Sequence, residues 1–388
     1  MASIAKIFAS PRRYIQGAGV LRITGEQIKF YGTKPLIIGG TRGLTAAAEA
    51  GLFKSLEQAN INYVVEKFGT PPYGEECTWK EINRLSRIAT EKGCDLVMSV
   101  GGGKVIDTGK VVAYKIGKES VTIPTSAATN AATSAFSLIY TEDHIVEQGV
   151  FFFKNPALVI VDSAVIAKAP LRYLISGMGD AAAAKFEGEM CYRTGAKNYV
   201  TQPDRIGFST FLSLSVCKLA YDNLREYGEA AIEAVANKIV TPALETVIES
   251  IILWSGLGWE NTGCAAAHSI NNGLTSLVGK IPEEIRPMHG ELVNFGTCCQ
   301  LIMENRPRRE VLEHYKWSHK IGLPLTFEGL GFSEKLFTDE DLWGAAEKAC
   351  AKNEPIHNMY FEVTPEIVFY AMKAANELGK KLKRSLIH

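Results

Sequence analysis

Between residues 35 and 124, short apolar runs alternate with helix-length segments, and no other feature of the chain constrains its fold as tightly. PLIIG (35–39), INYVVEKF (61–68), DLVMSV (95–100) and VTIP (121–124) read as strands, with helical patterns over 44–59, 78–92 and 104–116 between them. Strands that are apolar on both faces and joined by helices belong to a parallel sheet covered on both sides. After NPALVIVDSAVI (155–166) the periodicity becomes helical: 178–194, 204–224, 228–255, 259–277, 289–304, 308–321, 339–352 and 364–383. The fold class expected is an N-terminal α/β, Rossmann-like nucleotide-binding domain over 1–165 and an all-α C-terminal domain over 166–388. Ligands are expected in a cleft between the two.

A chain of 388 residues suits two domains, and its equal counts of 42 basic and 42 acidic residues create no global field for nucleic acid or an anionic membrane. No apolar run approaches the roughly 20 residues of a membrane span, and MASIAKIFASPRRYIQG lacks the features of a secretory signal. The eight cysteines include no C-x-x-C pair and read as reduced thiols, so a cytoplasmic protein is expected.

The third strand ends on Gly101, Gly102 and Gly103, directly before a helix. Missing Cβ atoms and the unpaired N–H groups of a helix start suit a pyrophosphate, with Lys104 as counter-charge. A plain tight turn is the alternative, and Asp107 reads equally as a helix-orienting residue. The following stretch, TIPTSAATNAATSAFSLIY (122–140), offers small hydroxyl side chains to a ligand or forms an ordinary loop.

Two of the seven histidines stand apart. His268 lies in the small-residue run GCAAAHSINNGLTSL, and His289 opens HGELVNFGT, whereas His144, His314, His319, His357 and His388 read as surface residues. A catalytic zinc commonly takes three protein ligands, and Asp180, within SGMGDAAAAKFEG, is the carboxylate that would complete the set. Taken singly, His268 reads more readily as a buried core imidazole than as a ligand, and Asp180 as a helix cap.

Five ordered stretches, SVGGGKVIDTGK, IPTSAATNAATSAFSLIY, GMGDAAAAKFE, AAAHSINNGLT and HGELVNFGT, resemble the glycerol dehydrogenase branch of the iron-containing (group III) alcohol dehydrogenase superfamily, and the likeness spans nearly the whole chain. The resemblance implies a metal-dependent, NAD(P)-linked oxidoreductase that interconverts a small secondary alcohol, a polyol or hydroxy acid, and its carbonyl. It places metal ligands, and with them the catalytic centre, at Asp180, His268 and His289, of which Asp180 and His268 also face the substrate. The pyrophosphate turn falls on Gly101, Gly102, Gly103 and Lys104 with Asp107 following, and other cofactor contacts on Thr122, Thr125, Ser134, Phe136 and Tyr140. Trp259 falls where an aromatic lines the substrate pocket. Branches that use iron carry a histidine where Ala184 stands, so zinc is expected, with iron as the alternative. Both histidines must be neutral to coordinate, so activity is expected to fall as they protonate.

Three departures from the family pattern bear on specificity. An Asp that would bind the adenosine ribose is replaced by Gly40, and Thr41 and Arg42 follow, so NADP(H) is expected over NAD(H). Asn130 stands where these dehydrogenases usually carry an Asp, which loses a charge near the substrate and admits a hydroxy acid or a neutral ketone. Asn271 replaces a second histidine, so the proton is expected to leave through water or a substrate hydroxyl. A homo-oligomer is expected, as in the family. Glycerol-1-phosphate dehydrogenase and dehydroquinate synthase branches, for which Lys280 and Arg286 would bind a substrate phosphate, and a non-catalytic nucleotide-binding protein are the alternatives.

Overall fold

The computed structural model describes residues 4–71, 74, 76–142, 146–200, 206–333 and 335–386. His144 and His388 lie outside them, as do residues 204 and 205 of an expected helix.

The chain forms two compact units and passes between them more than once. One comprises Ala9–Leu174 with Ala230–Leu257, the other Met1–Phe8, Ile175–Glu229 and Gly258–His388. A single division at residue 165 therefore leaves out two exchanges, the first residues and the 230–257 segment. The second exchange is held inside the α/β unit by Glu245, whose carboxylate accepts from Gln16 at 2.6 Å and from Ser163 at 2.5 Å.

The α/β unit is built on a six-stranded parallel sheet of β1 (Tyr14–Gly17), β2 (Pro35–Gly39), β3 (Val64–Lys67), β4 (Leu96–Gly101), β5 (Glu119–Pro124) and β6 (Leu158–Asp162). Their spatial order is β1-β6-β5-β4-β2-β3. Strands β2, β4 and β6 are buried throughout, which their unbroken apolar runs required. Alternate residues feed two cores, Ile37, Met98 and Val100 on one face, Leu36, Ile38 and Val97 on the other. Because β3 and β4 leave on opposite sides of β2, the strand order reverses between β2 and β4. Open α/β sheets bind ligands at the carboxyl ends of strands flanking such a reversal.

Here the carboxyl ends lead into two glycine turns. Gly40 starts helix α1 (Thr41–Glu49), and Gly102 starts helix α2 (Gly103–Lys115). Gly43 lies so close to β4 that a Cβ there would stand 3.0 Å from the Val100 carbonyl oxygen, which brings the two turns side by side.

The described residues of the other unit form helices and one short parallel strand pair, Ile4–Lys6 with Ile206–Phe208. Its central helices are α3 (Leu171–Thr194), α4 (Ala266–Thr275) and α5 (His289–Met303). They meet through small residues. Ala183, Ala267 and Val293 form one buried cluster, and a Cβ at Gly296 would lie 2.3 Å from the Ala267 carbonyl oxygen. The alanines and glycines of GMGDAAAAKFEG, GCAAAHS and HGELVNFG are thus the means by which three backbones approach.

His314, expected at the surface, is instead fully buried against Phe186, Tyr221 and Trp317. Its helix, Arg308–Lys320, is charged on one face, but Val311, His314, Tyr315 and Ser318 share the other, and helical period outweighs the polar neighbours. Burial, reinforced by Lys185 and Arg225, lowers its pKa to about 3. The unfolded imidazole, near 6.5, takes up a proton that the native one refuses. Stability should therefore fall as pH drops from about 6.5 towards 3, by about 1.4 kcal/mol per unit at most. Thermal melts of wild type and His314→Phe across that window should diverge, the variant showing the shallower acid loss.

Candidate active site

Helix α3 supplies Asp180 from its middle, α4 supplies His268 from its first turn, and α5 begins with His289. The three ligand atoms lie within 4.8 Å of one another. Nε2 of His268 and Nε2 of His289 each stand 3.4 Å from Oδ1 of Asp180. That buried oxygen has no hydrogen-bond partner among the described residues. An unpartnered carboxylate oxygen between two imidazole nitrogens costs free energy unless a cation occupies the centre. One oxygen and two nitrogens are also the donor set of an open, three-ligand divalent site. The residues fit a metal.

The Asp180 side chain is 3% exposed and that of His268 14%, whereas His289 is 41% exposed, so His289 is the member of the set most open to solvent. Burial would raise the Asp180 carboxyl, but the imidazoles of His289 and His268 outweigh it and hold the group well below the usual carboxylate range. Burial likewise opposes charge on His268, yet Cys264, Glu187 and Asp180 together hold its pKa well above the ordinary imidazole value.

A second group, Glu187, Cys264 and His268, has ligand atoms equally close. It is a poorer site, because the Glu187 carboxylate already faces the N–H groups of Ala265 and His268 and the His268 ring. Sequence reasoning missed Glu187. Its spacing of seven from Asp180, two helical turns on one face, was the available signal.

In the α/β unit the structure brings Gly40, Thr41, Arg42 and the Gly101–Gly103 turn to the carboxyl ends of the adjacent strands β2 and β4. A Cβ at Gly102 or at Gly40 would meet nothing within 4 Å, so space for a ligand lies against both. The first N–H groups of α2 have no intrahelical partner, as at any helix start. That arrangement fits a dinucleotide phosphate. Lys104, partly exposed, pairs with Glu76 at 2.5 Å. Asp107 points inward, where its carboxylate pairs with Lys110 at 3.0 Å and accepts from the Leu138 N–H at 3.4 Å. Thr122 is buried and donates to the Ala132 carbonyl, and the Thr125 N–H donates to Gly101. Ser134 is buried, and Phe136 and Tyr140 lie in a hairpin strand, Phe136–Tyr140, paired with Val146–Phe151. Asn130 donates to Ser255 Oγ at 3.0 Å. In the helical unit Trp259 stacks on Tyr199 with ring centroids 4.7 Å apart, Ala184 is buried one turn after Asp180, and Asn271 is buried one turn after His268.

A doubly wound nucleotide-type unit together with a helical unit that gathers Asp, His and His defines a metal-dependent, dinucleotide-linked class of protein. Residues 11–163 match the family model for iron-containing alcohol dehydrogenase. The chain is 40% identical to a glycerol dehydrogenase of Thermotoga maritima over 96% of its own length and 97% of that protein's. It is 35% identical to a glycolaldehyde reductase of Halobacterium salinarum, covering 98% of this chain and 100% of that one. The crystal structure of glycerol dehydrogenase from Schizosaccharomyces pombe superposes with a TM-score of 0.89 at 32% identity, covering 99% of this chain and 94% of that one. The chain belongs to the iron-containing alcohol dehydrogenase family. A divalent metal and a nicotinamide dinucleotide are the groups that membership implies.

Proposed function

We propose that this protein is a metal-dependent dehydrogenase that interconverts a small secondary alcohol and its carbonyl with a nicotinamide dinucleotide. The observation that carries the reading is the convergence of Asp180, His268 and His289 around an unpartnered buried oxygen. These three residues would hold the divalent cation, which when bound supplies Lewis-acid polarisation of the substrate oxygen. The partly exposed His289 leaves the centre open to that oxygen, and the closed packing around Asp180 and His268 keeps water from their sides. Ala184 offers no fourth ligand one turn after Asp180, which favours zinc over iron.

The turns at Gly40–Arg42 and Gly101–Lys104 would hold the dinucleotide. Gly40 leaves its position uncharged, and Arg42 is exposed beside it, so a 2′-phosphate meets attraction rather than a repelling carboxylate. We therefore assign NADP(H) as the preferred cofactor. Gly40→Asp has room for its side chain and should shift the kcat/KM ratio towards NADH by about 10- to 100-fold, as expected for charged hydrogen bonds gained or lost. A wild-type enzyme that clearly prefers NADH refutes the assignment.

Asn130 and Trp259 are proposed to line the substrate. The uncharged Asn130 admits polyols, neutral ketones and hydroxy acids. Screening these alcohols and the matching carbonyls against both cofactors, with and without chelator, tests the function as a whole. Turnover that ignores a chelator, or none with any of them, would sink it.

Among the described residues no helix is long and apolar enough to cross a membrane, and all eight cysteines are unpaired, which supports a reducing compartment such as the cytoplasm. Phe211, Leu212 and Leu219 expose apolar surface along one helix and support a homo-oligomer, which light scattering after size exclusion would read directly.

A further inference from the structure

Helix α4 starts without a capping side chain of its own, since its N-cap position is Ala265. Neighbouring helices supply the missing acceptors. Gln300 of α5 accepts the Ala267 N–H at 2.9 Å. Glu187 of α3, fully buried, accepts the Ala265 N–H at 2.8 Å and the His268 N–H at 2.9 Å through Oε1. Its other oxygen, Oε2, lies 2.5 Å from Nδ1 of the His268 ring. The opposite ring nitrogen, Nε2, is the one that faces Asp180.

From this geometry we propose that Glu187 is the positioning residue of the metal centre: it receives the Nδ1 proton of His268 in a hydrogen bond, and so keeps the Nε2 lone pair aimed at the site that Asp180 and His289 share. A neutral imidazole carries one N–H and one lone pair, and the partner of one nitrogen decides the role of the other. Glu187 fixes the backbone and the ring of His268 with one carboxylate, so the start of the helix and the direction of the ligand are set together. Asp180 and Glu187 stand seven residues apart on the same helix. A single rigid element therefore carries one ligand and aims a second. Carboxylates behind a ligating histidine typically contribute 10- to 100-fold to metal affinity.

The inference rests on the reading of Asp180, His268 and His289 as a divalent site. Glu187→Gln separates ring control from capping. Its amide oxygen still accepts the two backbone N–H groups, but its NH2 cannot accept from Nδ1. The ring must then carry its proton on Nε2, where it cannot ligate. Competition with a chromophoric chelator should show zinc binding weakened about 10- to 100-fold in this variant, while the circular-dichroism spectrum of the cation-free protein stays that of wild type. Zinc held as tightly by Glu187→Gln as by wild type would overturn the proposal and leave the metal site standing. A wild-type protein that binds no zinc would overturn the metal reading itself.

A measurement on wild type covers the case in which the variant does not fold. With 15N-labelled histidine and bound zinc, the His268 ring, identified by its loss in His268→Asn, should report a cation on Nε2 and a proton on Nδ1. A cation on Nδ1 would mean that Glu187 and Cys264 form the site with His268, which contradicts the proposal.

Discussion

Asp180→Asn should purify folded, without stoichiometric divalent cation, and with kcat/KM lowered by about 10³-fold or more. The substitution keeps the shape of the side chain in a pocket where wild type is almost fully buried, so packing is preserved. What it removes is the one anion that, among the described residues, stands within ligating distance of both imidazoles, at 3.4 Å from each. Two neutral nitrogens retain a divalent cation far less well than two nitrogens and a carboxylate. Loss of Lewis-acid stabilisation worth several kcal/mol corresponds to about three decades of rate. A second reading separates an empty site from a disturbed fold. A cation that binds only the native state raises wild-type stability by mass action, so a chelator should lower the wild-type melting temperature and leave that of Asp180→Asn unchanged. Elemental analysis showing a full complement of divalent metal in the variant, with wild-type turnover, would refute the assignment.

The parts of this fold that were legible in the sequence are those where one physical demand acts alone. PLIIG, DLVMSV and the apolar run before residue 166 hold strands buried throughout, as a parallel sheet covered on both faces requires. Helix continuity was harder to read. The pattern over 44–59 is broken at Gly51 and that over 259–277 at Gly263, each with a positive φ that ends a helix without changing the hydrophobic period. The run over 228–255 is divided after Ala236, resumes at Pro242 and passes through a π-helical turn over Ser250–Trp254. The hairpin of Phe136–Tyr140 with Val146–Phe151 was hidden because its first strand directly follows a stretch rich in Ser, Thr and Ala, and its second is interrupted by Glu147 and Gln148. In the site, Asp180, His268 and His289 became legible as a set through ordered motifs, while Glu187 did not. An acid in a helical run looks like a solvated face until the packing shows that it caps the neighbouring helix.

The glycine of HGELVNFG at position 290 should tolerate no side chain, and Gly290→Ala is expected to cost both stability and catalysis. On intrinsic propensity alone, alanine is preferred over glycine in a helix by about 1 kcal/mol. Tertiary contact reverses the sign here. A Cβ at this position would stand 1.8 Å from the carbonyl oxygen of Ser176, a backbone atom of α3 that cannot swing aside as a side-chain tip can. Gly179 presents the reciprocal contact, 2.4 Å from the Gly290 carbonyl oxygen, so α3 and α5 touch backbone to backbone and must separate to admit a methyl group. Overpacking of this kind costs roughly 1–3 kcal/mol. The displacement falls on the residue after His289 and on the turn before Asp180, so it moves one ligand against another. Misplacement of reacting groups by about 1 Å costs on the order of 100-fold in rate. Gly344→Ala is the internal comparison: it lies in the helix Asp339–Ala349 with nothing within 4 Å of the added atom, and should leave turnover unchanged while raising stability by up to about 1 kcal/mol. If both alanine variants melt higher than wild type and both retain a divalent cation, close helix contact is not what holds Asp180 and His289 together, because propensity would then have outweighed the clash at position 290.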